Sequence, residues 1–122
     1  GTQFRVLVCS WDEAVRLWEV EGSDAVCVWE VGAVSEWVTR GFGCRLLDSG
    51  RVGLSFSWDR TIQVWDCDAA APLVTKVTSD CSYVSLAIHE HGGQTGERAT
   101  AILGDEDGEV HFFDVVLRSA CP

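Results

Sequence analysis

A chain of 122 residues holds about one domain, and a composition 47% hydrophobic and 23% charged suits a packed core and excludes wholesale disorder. Nine basic residues against nineteen acidic ones leave a net charge of −10, with Lys76 the sole lysine, so neither nucleic acid nor a membrane surface is expected as a partner. No apolar run reaches the roughly 18 residues of a membrane span, and Gly1-Thr2-Gln3-Phe4-Arg5 carries no basic segment leading into an apolar one, which predicts a soluble, cytoplasmic protein that is not secreted.

Taken in order, the chain offers short apolar runs bounded by turn residues, the pattern of strands. Leu7 and Val8 precede a polar turn, and Val15 and Leu17 follow it. Ala25-Val26-Cys27-Val28-Trp29 and Cys44-Arg45-Leu46-Leu47 come next, and Asp48-Ser49-Gly50 breaks the chain after them. Leu54 and Phe56 then lead through a second turn to Ile62 and Val64, followed by Leu73-Val74-Thr75-Lys76-Val77 and Tyr83-Val84-Ser85-Leu86-Ala87-Ile88. Beyond the polar loop Gly92-Gly93-Gln94-Thr95-Gly96, Ile102 and Leu103 lead through a third turn to Val110 and Phe112. No segment sustains a 3.6-residue period with caps, so little or no helix is predicted. The six cysteines, Cys9, Cys27, Cys44, Cys67, Cys81 and Cys121, form no CxxC pair and accompany an ample apolar core. They are expected to be reduced, mostly buried thiols of an intracellular protein.

The three turns are copies of one unit. Ser10-Trp11-Asp12-Glu13-Ala14-Val15-Arg16-Leu17-Trp18-Glu19 recurs 47 residues on as Ser57-Trp58-Asp59-Arg60-Thr61-Ile62-Gln63-Val64-Trp65-Asp66. A weaker third copy, Asp105-Glu106-Asp107-Gly108-Glu109-Val110-His111-Phe112-Phe113-Asp114, begins 48 residues after the second. Each is an apolar run, a tight polar turn and a second apolar run ending in an aromatic and a carboxylate, which reads as a β-hairpin. With one strand before and one after each hairpin, a period holds four strands.

This unit resembles the WD-repeat family, β-propellers in which each repeat ends in Trp-Asp and packs as one four-stranded blade. The likeness is closest in Leu54-Ser55-Phe56-Ser57-Trp58-Asp59-Arg60-Thr61-Ile62-Gln63-Val64-Trp65-Asp66, and Phe113 stands at the Trp position of the third copy. It implies an all-β fold of about two and a half four-stranded antiparallel blades in a single region, 1–122, with copies at approximately 1–20, 21–67 and 68–118. It implies structural roles for the turn carboxylates Asp12, Asp59 and Asp107, for Trp18, Trp65 and Phe113, and for the hydroxyl of Ser55. The family's Gly-His pair is missing, since Gly32-Ala33 and Ser79-Asp80 occupy its place, and Val8 and Leu103 stand where Ser55 stands in the second copy. The last repeat and Cys44-Arg45-Leu46-Leu47 also resemble blades of the large switch proteins that join a NACHT NTPase domain to a WD-repeat sensor. Because propellers usually close with about four to eight blades, the chain is expected to be the C-terminal part of a larger propeller, completed by further blades of a parent or by self-association.

Catalytic chemistry finds little support. An EF-hand opening at Asp105 would need a Glu where Val116 stands. His89 and His91 fall on one face of a strand but lack a third ligand, and His111, between apolar residues, reads as a packed histidine. Leu46 stands where the third Gly of a GxGxxG beginning at Gly41 belongs, and neither a P-loop nor a GxSxG elbow occurs. No enzymatic activity, metal or cofactor is therefore expected. In propellers of this kind the hairpin turns emerge on one face, so the expected function is a protein-interaction platform that contacts a protein or peptide through Trp11, Glu13, Trp58, Arg60 and Glu106. The alternative is a purely structural role, blades completing a propeller whose binding face lies elsewhere in the parent.

Overall fold

Alternation of apolar and polar residues gives a strand one packed face and one outer face, and strands joined by tight Asp- and Gly-containing turns pair with their chain neighbours. The computed structural model describes residues 3–10, 14–32, 43–57, 60–91 and 98–116, and among these it contains strands and turns but no helix. The strands are β1 (Gln3–Cys9), β2 (Val15–Glu21), β3 (Asp24–Val31), β4 (Gly43–Leu47), β5 (Val52–Ser57), β6 (Thr61–Asp66), β7 (Leu73–Thr78), β8 (Tyr83–Glu90), β9 (Arg98–Asp105) and β10 (Val110–Val116). They form three antiparallel meanders, ordered β1-β2-β3, β4-β5-β6-β7 and β10-β9-β8. The repeated units are the hairpins β1-β2, β5-β6 and β9-β10. No helix among the described residues is long and apolar enough to cross a membrane.

The four-stranded sheet lies in the middle and packs on both faces, which is why β5 is buried along nearly its whole length. Toward the third sheet, Leu47, Leu54, Phe56 and Ile62 share one core with Tyr83, Ala99, Ala101 and Leu103. Each fully buried Leu or Phe there contributes about 1.5–3 kcal/mol of transfer free energy. Toward the first sheet, Trp65 is 0% exposed and stacks on Trp29 with ring centroids 5.2 Å apart. The Trp29 indole N–H donates to the Cys67 carbonyl at 3.1 Å. Gly53 opposes Trp65 in the register, and a Cβ there would lie 2.9 Å from Leu7 Cδ2, so the absent side chain lets the two sheets close. Arg5 fastens the lower rim, donating to the Gly50 carbonyl at 3.0 Å and pairing with Asp68 at 2.9 Å.

The sheets stack head to tail. Trp65 faces the first sheet, and Phe113 packs against the core shared with the middle one. Trp18, paired with Val6, lies on the face of the first sheet opposite to Leu7 and Leu17. The three repeat aromatics thus occupy the same face of their respective sheets. A register shift falls between Leu17 and Trp18 in β2-β3 and again between Val64 and Trp65 in β6-β7, so the local irregularity repeats along with the sequence. The thiols depart from expectation in their burial: of the five described, all free, only Cys67 is buried, and Cys27 is exposed on the edge strand β3. An edge strand has no neighbour to cover it. Cys121 lies outside the described residues.

Candidate functional site

The antiparallel register brings three connections to one end of the stack. Ser57 pairs with Thr61 where β5 turns into β6, and Gly104 with Val110 where β9 turns into β10. The β7–β8 connection joins them, since the Arg60 carbonyl accepts the Ser79 N–H at 2.8 Å and the Glu106 N–H donates to the Ser82 carbonyl at 3.1 Å. Of the residues expected to meet a partner, Arg60 and Glu106 are both exposed at this end. Trp11, Glu13 and Trp58 lie outside the described residues, as do the turn carboxylates Asp12 and Asp59.

Arg60 has an uncommon backbone. Its φ is 73°, in the left-handed region, and the residue at the same repeat position in the third sheet is Gly108, with φ 86°. Such a conformation costs a residue with a Cβ roughly 1–2 kcal/mol, whereas glycine adopts it freely. The turn holds Arg60 there through its N–H, which donates to the Ser57 carbonyl at 3.2 Å, and through the Ser79 N–H on its own carbonyl.

Below this end, the face of the middle sheet toward β1-β2-β3 carries a buried polar chain. The Trp65 indole N–H donates to Ser55 Oγ at 2.9 Å, and the Ser55 hydroxyl donates to Gln63 Oε1 at 2.6 Å. Gln63 Nε2 then donates to Thr61 Oγ1 at 2.6 Å. All four residues are buried. Gln63 escaped notice in the sequence, although the alternation that sets Thr61 and Trp65 on one face sets Gln63 between them.

The third sheet carries a second polar cluster at the turn end. The Asp105 side chain is only 4% exposed. Its Oδ1 accepts the N–H groups of Asp107 and Glu109, both at 2.9 Å, and its Oδ2 lies 2.7 Å from His111 Nε2. The hydrogen bond from His111 and those from the Glu109 and Asp107 backbone hold the Asp105 carboxyl below its ordinary pKa, outweighing the opposite effect of burial. Asp107 is exposed, and what it gives the turn is its N–H. Cys81 Sγ approaches the same His111 Nε2 at 3.6 Å. Tyr83 meets the His111 ring edge-on, with centroids 5.6 Å apart. Carboxylate and thiol both address one ring nitrogen, so no relay runs from Asp105 through the ring to Cys81, as a nucleophilic triad requires. His111 is therefore half-buried and partnered, and its partners stand 6 and 30 residues away in the chain.

His89 and His91 do share a face, with rings 5.1 Å apart, and both are exposed. His91 Nε2 lies 2.8 Å from Thr100 Oγ1. No family model matches the chain, and no curated protein matches it.

Proposed function

We propose that the chain is a non-catalytic protein-interaction platform of the WD-repeat β-propeller type, each sheet a blade and the hairpin-turn end the binding face. Arg60 carries this reading: a guanidinium is held out to solvent on a left-handed backbone at a position where the third sheet uses glycine. A strained backbone motivates a functional reading, and Arg60 differs from the left-handed Asp48 and Ser49 of the opposite turn in standing where another sheet has glycine. Glu106 stands exposed on the neighbouring turn, and Trp11 and Trp58 fall in the equivalent turn sequences, where aromatic side chains supply the buried anchors of an interface. With a net charge of −10, the fitting partner is a basic or amphipathic peptide segment, steered by the acidic surface. The sensor end of a NACHT-type switch is the narrower form of the same reading.

The test is the affinity of a partner captured with the full chain. A folded Trp11→Ala, Trp58→Ala double variant loses at least about 2 kcal/mol of binding, and Arg60→Ala alters the association rate and its salt dependence. Unchanged binding in both, with loss on altering residues 92–96, would move the working face to the other end of the sheets. A structural role, in which these blades complete a propeller, is favoured by one observation: Val110, Phe112 and Val116 stand exposed on the outer face of β10, interrupted by Asp114, with Phe112 68% exposed. In that case the double variant binds as the wild type does.

A further inference from the structure

We propose that Cys81, Asp105 and His111 form a binding site for one divalent cation of the zinc class. A thiol sulfur, an imidazole nitrogen and a carboxylate oxygen lie within 4.8 Å of one another, supplied by the β7–β8 connection, the end of β9 and β10. This mixed S, N, O donor set suits zinc, cobalt and cadmium, whereas magnesium and calcium take oxygen ligands alone.

One of the donor separations already matches that of an occupied site. With Zn–S about 2.3 Å and Zn–N about 2.0 Å, a tetrahedral ion separates sulfur from nitrogen by about 3.5 Å. The observed Sγ to Nε2 distance is 3.6 Å. The Nε2 to Oδ2 distance, 2.7 Å, is that of a hydrogen bond and must open to about 3.3 Å around an ion. The ion takes the place of the proton now between them. On binding, the Cys81 thiol proton leaves to solvent and the neutral imidazole proton moves from Nε2 to Nδ1. Thiolate and carboxylate together then cancel the charge of the cation.

A supporting shell is already in place, as metal ligands require. Asp105 Oδ1 is committed to two backbone N–H groups, which aims Oδ2 at His111. Ser79 Oγ donates to the Cys81 carbonyl at 3.0 Å and fixes that loop. The buried Tyr83 braces the imidazole edge-on. His111 is 32% exposed, so water and a small ion can reach the cluster. The zinc-free alternative, a hydrogen-bonded Asp–His pair with a thiol beside it, needs no ion and is an outcome of the test.

The experiment uses the reduced, chelator-stripped chain. Cobalt(II) titration is expected to saturate at one ion per chain, with a thiolate-to-cobalt charge-transfer band and tetrahedral d–d absorption. Alkylation of each cysteine, followed by mass spectrometry with and without zinc, is expected to slow at Cys81 by at least about tenfold, because the bound thiolate is no longer a free nucleophile. Cys9, Cys27, Cys44 and Cys67 keep their rates. Cys81→Ser and His111→Gln, checked by circular dichroism for the β fold, should each weaken zinc by more than the ~10–100-fold that loss of an outer-shell partner costs. Should either variant fail to fold, the wild-type alkylation pattern decides. The proposal is overturned if zinc leaves Cys81 alkylation unchanged, or if protection and the charge-transfer band belong to the neighbouring thiols Cys9 and Cys44.

Discussion

Replacing Ser55 by alanine removes one oxygen from the centre of the middle sheet and strands two buried groups at once. The Trp65 indole N–H loses its acceptor and Gln63 Oε1 loses its donor, both on residues 0% exposed. A buried polar group left without a partner costs about 1–3 kcal/mol, and deleting a hydroxyl leaves almost no cavity, so the expected loss is about 2–4 kcal/mol. That is a large share of the roughly 5–15 kcal/mol by which a domain of this size is stable. With a urea slope near 2 kcal/mol/M, the midpoint measured by circular dichroism should fall by about 1–2 M. Pairing the change with Trp65→Phe, which removes the donor, isolates the bond, and the cycle should show coupling above about 0.5 kcal/mol. A shift below about 0.5 kcal/mol for Ser55→Ala, or strict additivity in the cycle, would refute the buried chain as a source of stability.

Three further expectations concern packing, strain and thiol chemistry. In Gly43→Ala the new methyl would sit 2.7 Å from Cε1 of the Phe56 ring, itself only 3% exposed, so destabilisation of about 1–3 kcal/mol in urea is expected and a neutral result would mean that the ring moves freely. Arg60→Gly relieves the left-handed backbone and should raise stability by about 0.5–1 kcal/mol while weakening partner binding; a loss of stability would show that Arg60 is not strained. Burial pushes the Cys67 thiol pKa up to about 11. At pH 8 its thiolate fraction, and hence its native-state alkylation, should be about 100-fold below that of an ordinary thiol and rise about tenfold per pH unit toward 11, so a fast, pH-independent reaction at pH 7–9 would contradict the burial.

The strands were legible because their information is local. Val15 and Leu17, Ile62 and Val64, and Val110 and Phe112 alternate within hairpins short enough to be read in one window, and the spacing of the copies placed Trp18, Trp65 and Phe113 at equivalent positions. Pairing across the register was less visible. Gln63 carries no burial signal of its own, since glutamine is usually exposed, and only burial on both faces of the middle sheet turns it into a link between Ser55 and Thr61. The acidic turn showed its charge but not its division of labour: Asp105 points inward to bond the turn and His111, while its neighbours Glu106 and Asp107 remain in solvent. Cys81 meets His111 because β8 and β10 flank β9, a proximity that no spacing along the chain encodes.

The platform reading is tested most directly by hydrogen exchange on the chain alone and in complex with a captured partner. Binding at the hairpin-turn end should slow exchange around Arg60, across Ser79–Ser82 and across Asp105–Glu109, and leave the opposite turns at Asp48–Arg51 and Cys67–Pro72 at their free rates. Protection confined to those opposite turns, with Arg60 and Glu106 unaffected, would contradict the assignment of the binding face.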